Sequence, residues 1–145
     1  MTSVPPSLIP ELAVTDWQAS KRFYCDLLGF AVAYERPEEG FAMLTMGDAH
    51  VMIDQIGTGR TFDDGHLPDA YPFGRGMNLQ IEVPAVAPAL TRLHAAQYPI
   101  YLAREDKWYR KDALEVGNRQ FVVADPDGYL IRLFQDLGTR SIRQT

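Results

Sequence analysis

An arginine stands where the surrounding pattern asks for an apolar side chain. Within Tyr129-Leu-Ile-Arg-Leu-Phe134 every other residue suits a buried strand, and Arg132 interrupts it. A guanidinium is a permanent cation with five fixed N–H donors, so inside a protein it needs an acidic or carbonyl-bearing partner. Two partners fit: Glu11, in a structural ion pair, or an anionic or amide-bearing ligand. Both stay open at this point. Glu11 could alternatively serve as an acid–base group, provided a low-polarity pocket raised its carboxyl toward the working pH. Asn78 and Gln80 lie two apart on one strand, on one face, and offer donors and acceptors together. The adjacent Trp108 and Tyr109 supply flat aromatic surface, suited either to a ligand or to a second copy of the chain.

Other reactive side chains are poorly placed for chemistry. Cys25 sits in an apolar helical stripe and reads as a packing residue. His50, His66 and His94 lie at a strand start, in a loop and on a helix, without the short spacing of a preformed metal-ligand pair. Gly57-Thr-Gly-Arg60 resembles a fragment of a phosphate-binding loop but lacks the Lys-Ser/Thr and the helix that must follow.

The elements that carry these residues follow from periodicity. Leu8 to Val14 alternates as a strand, with Ile9, Glu11 and Ala13 on one face. Thr15 or Asp16 caps a helix whose stripe is Ala19, Phe23, Tyr24, Leu27 and Leu28, and Gly29 stops it. Strands follow at Phe30 to Glu35, Phe41 to Met46 and His50 to Ile56, broken by turns at 37–40 and Gly47-Asp48; Phe41 and Met43 read as core. Gly57 to Gly76, with five glycines, two prolines and three aspartates, is a long connecting loop. Met77 to Val83 is a strand, Pro84 to Gln97 a helix and Ile100 to Ala103 a strand. Arg104 to Leu114 mixes loop and strand. Val116 to Ala124 and Tyr129 to Phe134 form a hairpin around Asp125-Pro-Asp-Gly128, a turn with Pro to preset φ and Gly to accept a positive one. Residues 137–145 read as a fraying polar tail.

The order is β-α-β-β-β written twice, an α+β single domain with module one at about 7–56, the loop 57–76 and module two at about 77–136. Two such halves can roll their sheets around a cavity with helices outside. Parity then sends Asn78, Gln80 and Glu82 from one strand, and Leu130, Arg132 and Phe134 from another, toward the cavity, with Glu82 at an exposed edge.

Composition sets the surroundings. With 14 Lys+Arg against 19 Asp+Glu, the formal charge of −5 excludes a basic nucleic-acid surface. A single cysteine precludes an intramolecular disulfide, and no apolar run reaches the ~20 residues of a membrane span. No signal peptide is evident, so a cytoplasmic protein is expected.

LAVTDWQASKRFYCDLLGF (12–30), the Gly47-Asp48 turn and FVVADPDGYLIRLFQDLG (121–138) together resemble the vicinal oxygen chelate superfamily, which includes glyoxalase I, extradiol dioxygenases and bleomycin-resistance proteins. The resemblance covers nearly the whole chain. It implies a metal set of His, His and Glu in the metal-dependent members. Carried over, those positions fall on Ile9, on Asn78 (Met77 if the register slips) and on Arg132. Ile has no lone pair, Asn is a weak transition-metal ligand and Arg is a cation. The resemblance is therefore nearest to the bleomycin-resistance branch, which carries an Arg at the place of Arg132. It implies no cofactor, a homodimer, and binding of a bleomycin-like antibiotic or other small molecule without reaction. The drug-clamping aromatic positions of that branch fall near Gly76 and Val116, with Tyr71, Phe73, Trp108 and Tyr109 as nearby substitutes. The ligand site expected is Glu11, Asn78, Gln80, Trp108, Tyr109 and Arg132. The alternative is a lyase or isomerase of the glyoxalase type.

Overall fold

The computed structural model describes residues 6–142. They form two compact units, one from the chain up to Arg75 with the segment Asp125–Tyr129, the other from Gly76–Ala124 with the chain from Leu130 onward. Each unit runs β-α-β-β-β, the duplicated α+β order expected.

In the first unit β1 (Glu11–Val14), β2 (Ala31–Arg36), β3 (Phe41–Met46) and β4 (Ala49–Gln55) form a mixed sheet in the order β1-β4-β3-β2, with β1 parallel to β4. Strand one is shorter than its apolar run. Pro10 has no N–H to give the ladder, although its carbonyl still accepts from Met52 N–H. Leu12, Val14, Ala42, Leu44, Val51 and Ile53 share one face and are all buried. The helix α1 (Trp17–Arg22) lies on that face, because Gln55, paired with Val14, accepts from Trp17 N–H. Asp16 caps it by accepting from the N–H groups of Gln18 and Ala19. Phe23–Leu28 continues α1 as a wider π-type turn, which ends at Gly29 with φ 98°.

The segment Asp125–Tyr129 is the most heavily bonded part of this unit. Asp125 accepts from Tyr24 O–H at 2.6 Å and from the N–H groups of Asp127 and Tyr129 at 2.9 Å each. Asp127 takes both the N–H and the hydroxyl of Thr15. Tyr129 donates to the carbonyl of Ala13. Burial pushes the Asp125 carboxyl up to about 6, and its three donors pull it back only in part.

In the second unit β5 (Asn78–Glu82), β6 (Leu102–Lys111), β7 (Leu114–Ala124) and β8 (Leu130–Ser141) follow the order β5-β8-β7-β6, with β5 parallel to β8. The helix α2 (Ala87–Ala95) buries Ala89, Leu90 and Leu93. Gln135, on the face of Ile131 and Leu133, accepts from Val86 N–H and fixes α2 over that face. Two expectations change here. Residues 104–111 are continuous strand, and β8 runs on through Ser141, so residues 137–141 do not fray. Both changes have one cause: the start of β7 pairs on its two sides, with Lys111 opposite Leu114 and Leu114 opposite Ser141. The last residues, 143–145, lie outside the described residues.

Candidate functional site

The face of the second sheet turned away from α2 is polar at its centre. Registers place Gln80 beside Arg132 and Glu82 beside Phe134 on β5 and β8. Phe134 is opposite Gln120 on β7, Gln120 is opposite Glu105 on β6, and Tyr109 is opposite Val116. Paired residues share a face, so Asn78, Gln80, Arg132, Gln120, Glu105 and Tyr109 occupy one side of one sheet.

Gln120 is the best-fixed member. It is 1% exposed, and its Nε2 donates to Tyr109 Oη at 2.7 Å and to Glu105 Oε1 at 3.2 Å. Turning the amide over would aim its oxygen at a carboxylate, so these two bonds settle the orientation. Its Oε1 is then buried without a hydrogen-bond partner. One strand away, the Nε of Arg132 is also buried without one. Buried polar atoms of a native protein are nearly always satisfied, so this acceptor and this donor on one face call for partners that the described residues do not supply.

The expected site residues divide three ways. Asn78, Gln80, Tyr109 and Arg132 come together on this face. Trp108 does not, since it points to the opposite side, opposite Gly117. Its ring covers Gly117, where a Cβ would meet ring atoms at 2.7–2.8 Å, and Arg140 lies 4.1 Å above the ring while bonding Glu115. That is packing, with strand alternation alone separating Trp108 from Tyr109. Glu11 belongs to the first unit, where burial and then the Glu11 charge push the Asp54 carboxyl up to about 6. Gln120 and Glu105 join the face without having been expected there. The one signal for them is the parity of Gln120 with Val122 and Ala124 at the start of an apolar run.

Cys25 behaves as packing: burial and the neighbouring Asp26 push its thiol up from its ordinary value, leaving little thiolate at neutral pH.

A family model for the Glyoxalase/Bleomycin resistance protein/Dioxygenase superfamily matches residues 8–133. The chain belongs to this superfamily. It is 30% identical over 139 residues to a bleomycin resistance protein of Geobacillus stearothermophilus, covering 89% of this chain and 96% of that one. The crystal structure of TioX from Micromonospora sp. ML1 is similar at 25% identity, with a TM-score of 0.64 and coverage of 90% and 98%. TnmS3, an antibiotic binding protein from Streptomyces sp. CB03234, shares the fold at 20% identity and a TM-score of 0.57, over 94% and 99% of the two chains. The donor set of the metal-dependent superfamily members does not fit Ile9, Asn78 and Arg132. Among the described residues no three His, Cys, Asp or Glu side chains are grouped to hold a metal ion.

Proposed function

We propose that this superfamily member is a small-molecule binding protein that works by sequestering its ligand, and that the ligand docks on the polar face of the second sheet. Arg132 donates through Nε and Gln120 accepts through Oε1. Asn78 and Gln80 add contacts along β5, Phe134 gives apolar surface, and Tyr109 holds Gln120 in place. The observation that carries this reading is the pair of buried, unpartnered atoms on adjacent strands. A ligand bearing a carbonyl oxygen next to an N–H, as in a primary amide, satisfies both at once. The bleomycin resistance relative at 30% identity supports an antibiotic of the bleomycin type as the first candidate. The proposal includes a cytoplasmic homodimer, a state that light scattering would report as twice 16.3 kDa.

The test is a fluorescence or calorimetric titration of bleomycin into the protein, its Arg132→Ala and Gln120→Leu variants, and a thermal melt of each. Both variants should lose about tenfold or more in affinity, since each leaves a ligand atom unsatisfied. Unchanged affinity in Arg132→Ala alongside a lowered melting temperature would return Arg132 to a structural role and sink the assignment.

A further inference from the structure

The Gln120 amide has two ends of opposite chemistry: its oxygen accepts and its nitrogen donates. Nε2 lies 2.7 Å from Tyr109 Oη and 3.2 Å from Glu105 Oε1, so Oε1 is the end left without a partner. The two groups that hold the nitrogen are not equivalent. Both sit on β6, four residues apart and so on one face, with Glu105 directly opposite Gln120. The Tyr109 hydroxyl both donates and accepts, and would serve either end of the amide. The half-buried Glu105 carboxylate only accepts, and it repels an amide oxygen aimed at it. Glu105 alone therefore decides which end of Gln120 is presented.

That choice matters because of what stands beside Gln120. On β8, Phe134 is opposite Gln120 and Arg132 is opposite Val122, which makes Arg132 the diagonal neighbour of Gln120. Diagonal neighbours on antiparallel strands stand roughly 7–8 Å apart, a gap that a group with an acceptor and a donor on one carbon fills. Arg132 offers the buried donor Nε and Gln120 the buried acceptor Oε1, both within the second unit. A carboxamide matches the pair, its carbonyl taking the Arg132 N–H and its own N–H going to Gln120. A carboxylate matches the arginine but sets a second lone-pair oxygen against Oε1. With the Gln120 amide reversed the face would present two donors, and the carboxylate would fit better.

We infer that Glu105 is a positioning residue that makes this face select carboxamides over carboxylates, by holding the Gln120 amide with its oxygen toward the ligand. The inference rests on the proposal that the ligand docks on this face, and adds the residue that chooses the ligand's chemistry. Glu105→Gln keeps the shape and removes the bias. The new side chain donates to the Gln120 oxygen as readily as it accepts from the nitrogen, so Gln120 turns to suit either ligand.

Benzamide and benzoate, alike in shape and differing in the group beside the carbonyl, are the probes, titrated into the full chain near neutral pH and followed by NMR chemical shifts. The benzamide-to-benzoate affinity ratio should fall by about tenfold or more in Glu105→Gln, and in the same direction in Glu105→Ala. Losing a negative charge favours benzoate by itself, so the substitution is repeated in a Gln120→Leu background. There the charge effect persists without the amide, and the ratio should move by about threefold or less. Tyr109→Phe should weaken both probes and hold the ratio, since Glu105 still fixes the amide. A ratio that Glu105→Gln leaves unchanged, or lowers equally with and without the Gln120 amide, would overturn the inference, as would a parent that binds no benzamide at about 10 mM. Bleomycin separates this failure from that of the docking proposal. If Arg132→Ala and Gln120→Leu lose bleomycin affinity while the ratio ignores Glu105, only the positioning role falls; if neither loses it, docking on this face falls too.

Discussion

The turn between β3 and β4 and the turn between β7 and β8 hold the same place in the two repeats, and they carry very different loads. At the first, Gly47 and Asp48 are exposed, and nothing lies within 4 Å of where a Gly47 Cβ would stand. At the second, Asp125, Asp127, Gly128 and Tyr129 are all buried, and every polar atom of the two carboxylates that bonds does so inside the first unit. A duplicated order of elements therefore does not distribute stability evenly. One turn merely reverses the chain. The other is a keystone of a unit to which its flanking strands do not belong.

Removing the keystone should give the largest effect. Asp125→Ala strips the Tyr24 hydroxyl and two backbone N–H groups of their acceptor in a buried setting, a loss of about 3–5 kcal/mol by analogy with other broken buried networks. Denaturant unfolding measures it. An Asp125→Ala protein within 1 kcal/mol of the parent (roughly the scatter of surface substitutions) would erase the contrast between the turns. Gly128→Ala comes next. Its φ is +98°, and an added Cβ would meet Pro72 Cβ at 2.5 Å and Pro72 Cα at 2.7 Å, so both backbone strain and a clash oppose it. About 2–4 kcal/mol is expected.

The same acid gives the turns different pH responses. The unfolded chain releases the Asp125 proton near its ordinary 3.8, whereas the folded chain keeps it to about 6. Between those values the folded state binds more protons, so this contribution is complete below about pH 4 and is lost as pH rises through 6. Its size is roughly 2–3 kcal/mol from the shift. Unfolding free energies measured from pH 4 to pH 7 should show this decline in the parent and a flatter profile in Asp125→Asn.

These contrasts show what the sequence could and could not convey. Alternation and turn residues were enough for seven of the eight strands, the Asp16 cap and the Gly29 stop, because each rests on a local rule. Parity was enough to bring Gln80 and Arg132 onto one face, since β5 and β8 are short and regular where they pair. Parity also separates Trp108 from Tyr109, but the charge of residues 104–111 hides their strand character. Asp54 closes an apolar strand and looks like an ordinary solvated end. Its burial depends on a loop backbone folding over it at Gly59, a contact with no local signature. Asp125 and Asp127 looked like turn formers bonding nearby backbone. Their long-range bonds, to Tyr24 and Thr15, depend on tertiary packing that no window of sequence contains.

A smaller effect separates the two aspartates within the keystone. The Asp127 carboxylate is bonded by Thr15, so Thr15→Val should cost about 1 kcal/mol through loss of the hydroxyl bond at 2.7 Å, with the Thr15 N–H bond retained. Smallest of all should be the counterpart turn. Asp48→Ala removes an exposed carboxylate and should stay within about 0.5 kcal/mol of the parent. Gly47→Ala has open space for its Cβ and only the positive φ of 57° to resist it, so about 1 kcal/mol is expected. The ratio of Gly128→Ala to Gly47→Ala is then the cleanest measure of the contrast. Both glycines have positive φ, but 57° lies in the left-handed basin open to Ala and 98° lies outside it, so the excess at Gly128 combines added strain with the close approach of Pro72. Equal costs at the two positions would show that neither burdens the keystone turn.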